Sequence, residues 1–225
     1  MKRRGFTMWE ALIILASIAI IAAIVFPVFV RANYNYKSGH CQPNLKQIGL
    51  AMQQYTSDFG DKYPPAIIAE TKGGVFSEDD SPYSPYSLHW RTPPYGWADA
   101  LQPYIKSNPV FQCPIESDEP QTFVANQRGY TDYWYNRNLA GKNATKLKNN
   151  AIVILLGEGN DGDDTTDARY SLAQLPDWWR TDQSSPAYRH LDGANYTFAD
   201  GHVKWYKPAQ VSDTSKSGQP TLRVF

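Results

Sequence analysis

Apolar residues fall along this chain in three patterns, and each predicts a different element. Residues 11–30, ALIILASIAIIAAIVFPVFV, carry no charged side chain. As one helix this run would reach ~30 Å, enough to cross the hydrocarbon core of a bilayer. Further on, Leu45, Ile48, Met52, Tyr55 and Phe59 recur three or four apart, with Lys46, Gln47, Gln53 and Gln54 on the other face. That period predicts an amphipathic helix whose apolar stripe lies on a sheet. Between the two, residues 31–37 are polar, and Gly39 and Pro43 both oppose a regular helix, so a kink or short break is predicted there. Pro27 marks a further predicted kink.

The third pattern is that of strands. The run AIVILL at 151–156 is continuously apolar and is stopped by Gly157, which predicts a central buried strand. Residues 130–139 alternate like an edge strand. Residues 195–206 read as a hairpin around Asp200 and Gly201, and Asp-Gly predicts a two-residue type I′ turn. That register sets Phe198 opposite Val203 and Tyr196 opposite Trp205, an apolar quartet expected to pack on the Leu45 to Tyr55 stripe. Thr197, Ala199, His202 and Lys204 would share the other face. A short helix from Trp97 to Tyr104 and a strand stub from Val110 to Pro114 complete the head. Residues 71–95, rich in Gly, Pro, Ser and Tyr, predict a long surface loop, and 207–225 a tail of low order. The fold class is α+β: a long N-terminal helix (6–30, continued over 31–60) packed on a mainly antiparallel head (61–206).

Charge restricts the partners. There are 22 Lys+Arg and 22 Asp+Glu; without Lys2, Arg3 and Arg4 the count is 19 against 22, a balance of −3. No nucleic-acid partner is predicted. The basic flank before the apolar run predicts a single-pass anchor in the inner membrane with an extracytoplasmic head. A cleaved secretory signal fits less well, because no small-residue site ends the run and Glu10 stands where its core would be apolar. Cys41 and Cys113, 72 positions apart (113 − 41), can form a disulfide outside the cytoplasm, closing a loop worth roughly 4 kcal/mol. Two free buried thiols satisfy the sequence equally. Metal binding is not indicated for two cysteines so far apart without C-x-x-C spacing.

Candidate chemistry is sparse. No G-x-S-x-G, H-E-x-x-H, C-x-x-C or phosphate-binding glycine pattern occurs, and His40, His89, His190 and His202 are scattered, so no enzyme and no cofactor are predicted. Glu158, Asn160, Asp161, Asp163 and Asp164 supply oxygens suited to calcium, but their spacing fails the EF-hand pattern and an acidic solvated turn explains them. His190, Asp192, Asp200 and His202 are acceptable zinc ligands, with a structural hairpin as the alternative. Tyr83, Tyr86, Trp90 and Tyr95 could stack on a sugar or simply pin their loop.

Two resemblances carry further expectations. Gly5-Phe6-Thr7-Met8-Trp9-Glu10 followed by the apolar run resembles the class III signal of type IV pilins and type II secretion pseudopilins. This resemblance implies cleavage between Gly5 and Phe6 by a prepilin peptidase, methylation of Phe6, and Glu10 as the assembly glutamate at mature position five (10 − 5). Pro27 would stand at mature position 22 (27 − 5), where many pilins carry proline. Some major pseudopilins also bind calcium in a C-terminal loop. The run NLKQIG at 44–49, together with Gly96-Trp97, Leu101, Pro103-Tyr104, Cys113-Pro114 and His190-x9-Asp200-Gly201, resembles the DUF1559 group of pseudopilin-like proteins; Pro43 departs from the small residue more usual there. Together they imply a structural subunit that assembles with pilin-like subunits into a filament or pseudopilus. The alternative is a carbohydrate- or surface-binding head on a solitary anchor.

Overall fold

The computed structural model describes residues 7–68, 95–105, 107–114, 121–160, 166–212 and 218–224, and only the backbone of 29–40. One helix dominates: α1, Met8–Asp58, 51 residues, with Pro27 and Pro43 both inside it. The break predicted around Gly39 and Pro43 does not occur. A proline removes one backbone hydrogen bond, but Cys41, Leu45 and Ile48 on either side of Pro43 are fully buried, and that burial holds the helix together across it. Thr7 starts α1 with a capping box. Its Oγ accepts from the Glu10 N–H at 3.4 Å, while Glu10 Oε2 accepts from the Thr7 N–H at 2.8 Å.

The head is a five-stranded mixed sheet of β1 (Tyr133–Asn136), β2 (Ile154–Glu158), β3 (Ser171–Leu172), β4 (Ala194–Phe198) and β5 (Val203–Tyr206), in the order β3-β1-β2-β4-β5. Only the β1–β3 pair is parallel. Short helices α2 (Trp97–Ala100) and α3 (Asp177–Thr181) flank it. Period-two alternation sends side chains to two cores. On the α1 side Leu45, Ile48, Met52 and Tyr55 meet Tyr133, Tyr135 and Leu155; on the far side Trp134, Ile154, Tyr196 and Phe198 meet Leu175 and Trp179. Because both faces are covered, β1 is buried throughout and sits second in the sheet, not at its edge as predicted. β2 runs on through Gly157, with the Trp134 ring lying over it, and ends at Glu158. The predicted stub from Val110 to Pro114 begins instead as a 3-10 turn, Asn108–Phe111, started by Pro109.

The hairpin differs from its predicted register by one residue. Thr197 pairs with Val203, Tyr196 with Lys204 and Asn195 with Trp205. The loop is therefore three residues, Ala199, Asp200 and Gly201, closed by Phe198 N–H to His202 O at 2.9 Å, with Gly201 alone at positive φ (+85°). A one-residue slip exchanges faces. Asn195 now shares its position with Trp205; Tyr196 and Phe198 lie in the far core, while Asn195 and Thr197 face α1. Close approach explains the choice: a Cβ on Gly49 would stand 2.8 Å from Thr197 Cγ2, so the strand can offer the helix only small polar side chains. Gly201→Val should cost about 1–2 kcal/mol, since a β-branched residue resists positive φ. A urea melt with an unchanged midpoint would show that the turn tolerates another conformation.

The C-terminal tail is also more ordered than its composition predicted. Thr221 N–H donates to Ile152 O and Thr221 O accepts from Ile154 N–H, each at 2.8 Å, and Val211 and Leu222 are buried in the far core. Residues 207–212 and 218–224 thus belong to the head. Most of the predicted loop 71–95 lies outside the described residues; Tyr95 itself stacks under the Arg169 guanidinium at 4.2 Å.

Candidate functional site: a buried junction between helix and sheet

Where α1 enters the head, polar groups converge inside the core. Cys41 on α1 and Cys113, which follows the 3-10 turn, are joined by a disulfide with Cα atoms 5.5 Å apart, both fully buried. Of the two readings that the sequence left open, the structure has the paired one. Cys113 N–H donates to Asp132 Oδ2 at 2.6 Å. His190 Nε2 stands 3.7 Å from Cys113 Sγ and 3.0 Å from Glu158 Oε2, with neither His190 nor Glu158 side chain exposed. Asn195 completes the carboxylate's shell: its backbone N–H donates to Oε2 at 2.7 Å and its Nδ2 to Oε1 at 3.0 Å. Asn195 Oδ1 in turn accepts from Gln42 Nε2 on α1 at 2.8 Å.

The result is a closed circuit, from α1 through the cystine to His190, Glu158, Asn195 and back to α1. A carboxyl group buried this deeply is strongly destabilising unless hydrogen-bonded, and this one has partners on both oxygens. Its charge reaches the neighbouring rings. Burial first, and Glu158 second, hold the Tyr133 and Tyr196 phenols above their ordinary range. His190 Nδ1 has no hydrogen-bond partner among the described residues. The backbone around it is fixed, with His190 N–H donating to Gly193 O at 2.9 Å and His190 O accepting from Trp205 Nε1 at 2.7 Å.

A family model described as a protein of unknown function (DUF1559) matches residues 39–151. The chain belongs to the DUF1559 family. No curated protein and no solved structure matches it. The matched span holds the cystine and the NLKQIG run, and in this DUF1559 chain five of the six positions of that run, all but the exposed Gln47, have a visible physical task. Asn44 Nδ2 donates to Gln112 O at 3.0 Å, Lys46 Nζ to Gly201 O at 2.6 Å, Leu45 and Ile48 fill the core, and Gly49 admits β4. His190-x9-Asp200-Gly201 is the other half of the same contact. His190 enters the buried circuit, Gly201 meets Lys46, and Asp200 Oδ1 accepts from the His202 N–H at 3.1 Å to shape the loop.

The predicted metal sets do not assemble. Asp200 and His202 pair with each other on the surface, at 2.6 Å, whereas His190 is buried toward Glu158, so His190, Asp192, Asp200 and His202 do not converge as ligands. Of the predicted calcium ligands, Glu158 is committed to His190 and Asn195, Asn160 Nδ2 turns to Asp132 Oδ1 at 3.4 Å, and Asp161, Asp163 and Asp164 lie outside the described residues. Among the described residues, the group of three or more potential ligands within reach of one another is Cys41, Cys113 and His190. Gly5 and Phe6 also lie outside the described residues.

Asn195 is a site residue that sequence reasoning missed, and Glu158 was singled out for calcium rather than for His190 and Asn195. A signal existed: an acid directly ending a buried run, AIVILLGE, requires a partner elsewhere in the fold.

Proposed function

We propose that this chain is a pilin-like protomer, held in the inner membrane by the first part of α1 and presenting its head on the extracytoplasmic side for assembly with like subunits. One observation carries the reading. Residues Met8–Val28 form a helical segment apolar and long enough to cross a membrane, with none of it buried by the head, and this segment is continuous with the part of α1 locked into the core. Signal cleavage beyond the apolar run would have to cut inside that continuous helix. The proposed processing between Gly5 and Phe6 leaves it whole, with Thr7 still able to cap it. A disulfide at the junction suits an oxidising compartment.

A filament subunit transmits force between anchor and head, and the closed circuit around Glu158 makes the two one body. In this reading Glu10 pairs with the Phe6 amine of a neighbouring subunit and sets the axial register. The capping box gives Glu10 a second, local use, so a plain alanine substitution would confound the two. Glu10→Gln separates them, because glutamine still accepts from the Thr7 N–H but carries no charge. Glu10→Gln should insert in the membrane normally while lowering assembled subunits, counted by in-cell crosslinking, by about tenfold, as expected when the neighbouring subunit's Phe6 amine loses its charged partner. Wild-type assembly would leave helix capping as the whole role of Glu10 and favour a solitary anchor.

A further inference from the structure

The sequence spacing gave no reason to join the two cysteines to a metal ligand, but the fold brings one to them. Cys41, Cys113 and His190 each place one potential ligand atom within 4.8 Å of the others, all three residues being buried, and Glu158 Oε2 lies 3.0 Å from the same His190 Nε2. We propose that the dithiol form of the head, before Cys41 and Cys113 are joined, is a site for a thiophilic divalent cation of the zinc class. Its ligands are the two Sγ atoms and His190 Nε2, with Glu158 beside His190 and water in the fourth position.

The donor set is the first argument. Two thiolates and an imidazole, with a fourth position left to water, are donors of the kind zinc takes, whereas calcium and magnesium prefer oxygen alone. Spacing is the second. Around a tetrahedral zinc, with bonds of ~2.0 to 2.3 Å, neighbouring ligand atoms stand about 3.3–3.8 Å apart. His190 Nε2 is 3.7 Å from Cys113 Sγ. With the cysteine Cα atoms 5.5 Å apart, rotation about the Cα–Cβ bonds lets the freed sulfurs separate without moving α1. The third argument is the surrounding shell, which is already built: Asn195 N–H and Nδ2 hold the Glu158 carboxylate, and Asp132 holds the Cys113 backbone. Such outer contacts fix ligand orientation in metal sites.

Metal and disulfide are then alternatives at one place. Binding displaces the two thiol protons. In the later exchange, the two cysteine sulfurs pass two electrons to an acceptor disulfide; a Cys41–Cys113 bond forms, the acceptor bond breaks, and the acceptor sulfurs take up two protons. The cystine sulfurs no longer carry charge, and the cation is released. Until that step the cation holds α1 against the head.

Cobalt(II) is the probe, with zinc as competitor, on the full chain in detergent, reduced by a phosphine or left oxidised, with folding followed by circular dichroism. The reduced protein should bind one cobalt with a thiolate-to-metal charge-transfer band, and zinc should displace it; the oxidised protein should bind none. Cys113→Ser should diminish the band and His190→Asn weaken zinc binding at least about tenfold, while Asp200→Asn should leave both unchanged. A folded reduced chain that binds no more zinc than the oxidised one overturns the proposal. So does a cobalt spectrum without the charge-transfer band, or a reduced chain that unfolds and is not restored by zinc.

Discussion

Replacing Cys41 and Cys113 together by serine should lower the stability of the head by roughly 4 kcal/mol. The bond spans a sequence separation of 72, and the entropy of closing a loop of that length in the unfolded chain sets the magnitude. The location adds a second consequence. Because Cys41 is the first buried residue of α1 among those described, the double variant should loosen this part of the helix against the sheet before the rest of the head unfolds. Hydrogen exchange should then rise first around residues 41–45, and denaturant titration of the full chain in detergent should give the stability loss. A loss under about 1 kcal/mol would mean that the denatured chain is already constrained, or that packing of Leu45, Ile48 and Met52 alone fixes the helix.

Glu158→Ala should cost at least about 3 kcal/mol, at about 1–3 kcal/mol for each buried hydrogen-bonding group it leaves without a partner. It leaves His190 Nε2 and the Asn195 donors facing a void. His190→Ala removes the other side of the same contact, so the double variant should lose clearly less than the sum of the two singles. Denaturant midpoints for the four proteins of this cycle test it. Strict additivity would show that the two residues do not act as a pair.

The elements that sequence made legible are those whose pattern is strong and local. The uncharged run after Glu10 and the stripe from Leu45 to Tyr55 each predicted their part of α1, and the apolar run near Leu155 predicted the central strand. What failed depended on context. Pro43 opposes a helix locally, yet burial of Cys41, Leu45 and Ile48 overrides it. Asp-Gly is compatible with two loop lengths, and the choice between them came from the closeness of Gly49 to Thr197, which no local rule contains. The tail hid two buried side chains, Val211 and Leu222, in a polar composition. Of the site, the possible cystine and His190 were legible as residues. Their meeting with Glu158 and Asn195 was not, because it joins four segments distant in sequence.

In the proposed function α1 is both the anchor and the assembly helix of a processed, pilin-like subunit. Intact mass spectrometry of the protein extracted from its native membrane should then find a chain that begins at Phe6 and is heavier by one methyl group, with the Cys41–Cys113 bond present. A chain beginning at Met1, or one that has lost the whole apolar run, would contradict it.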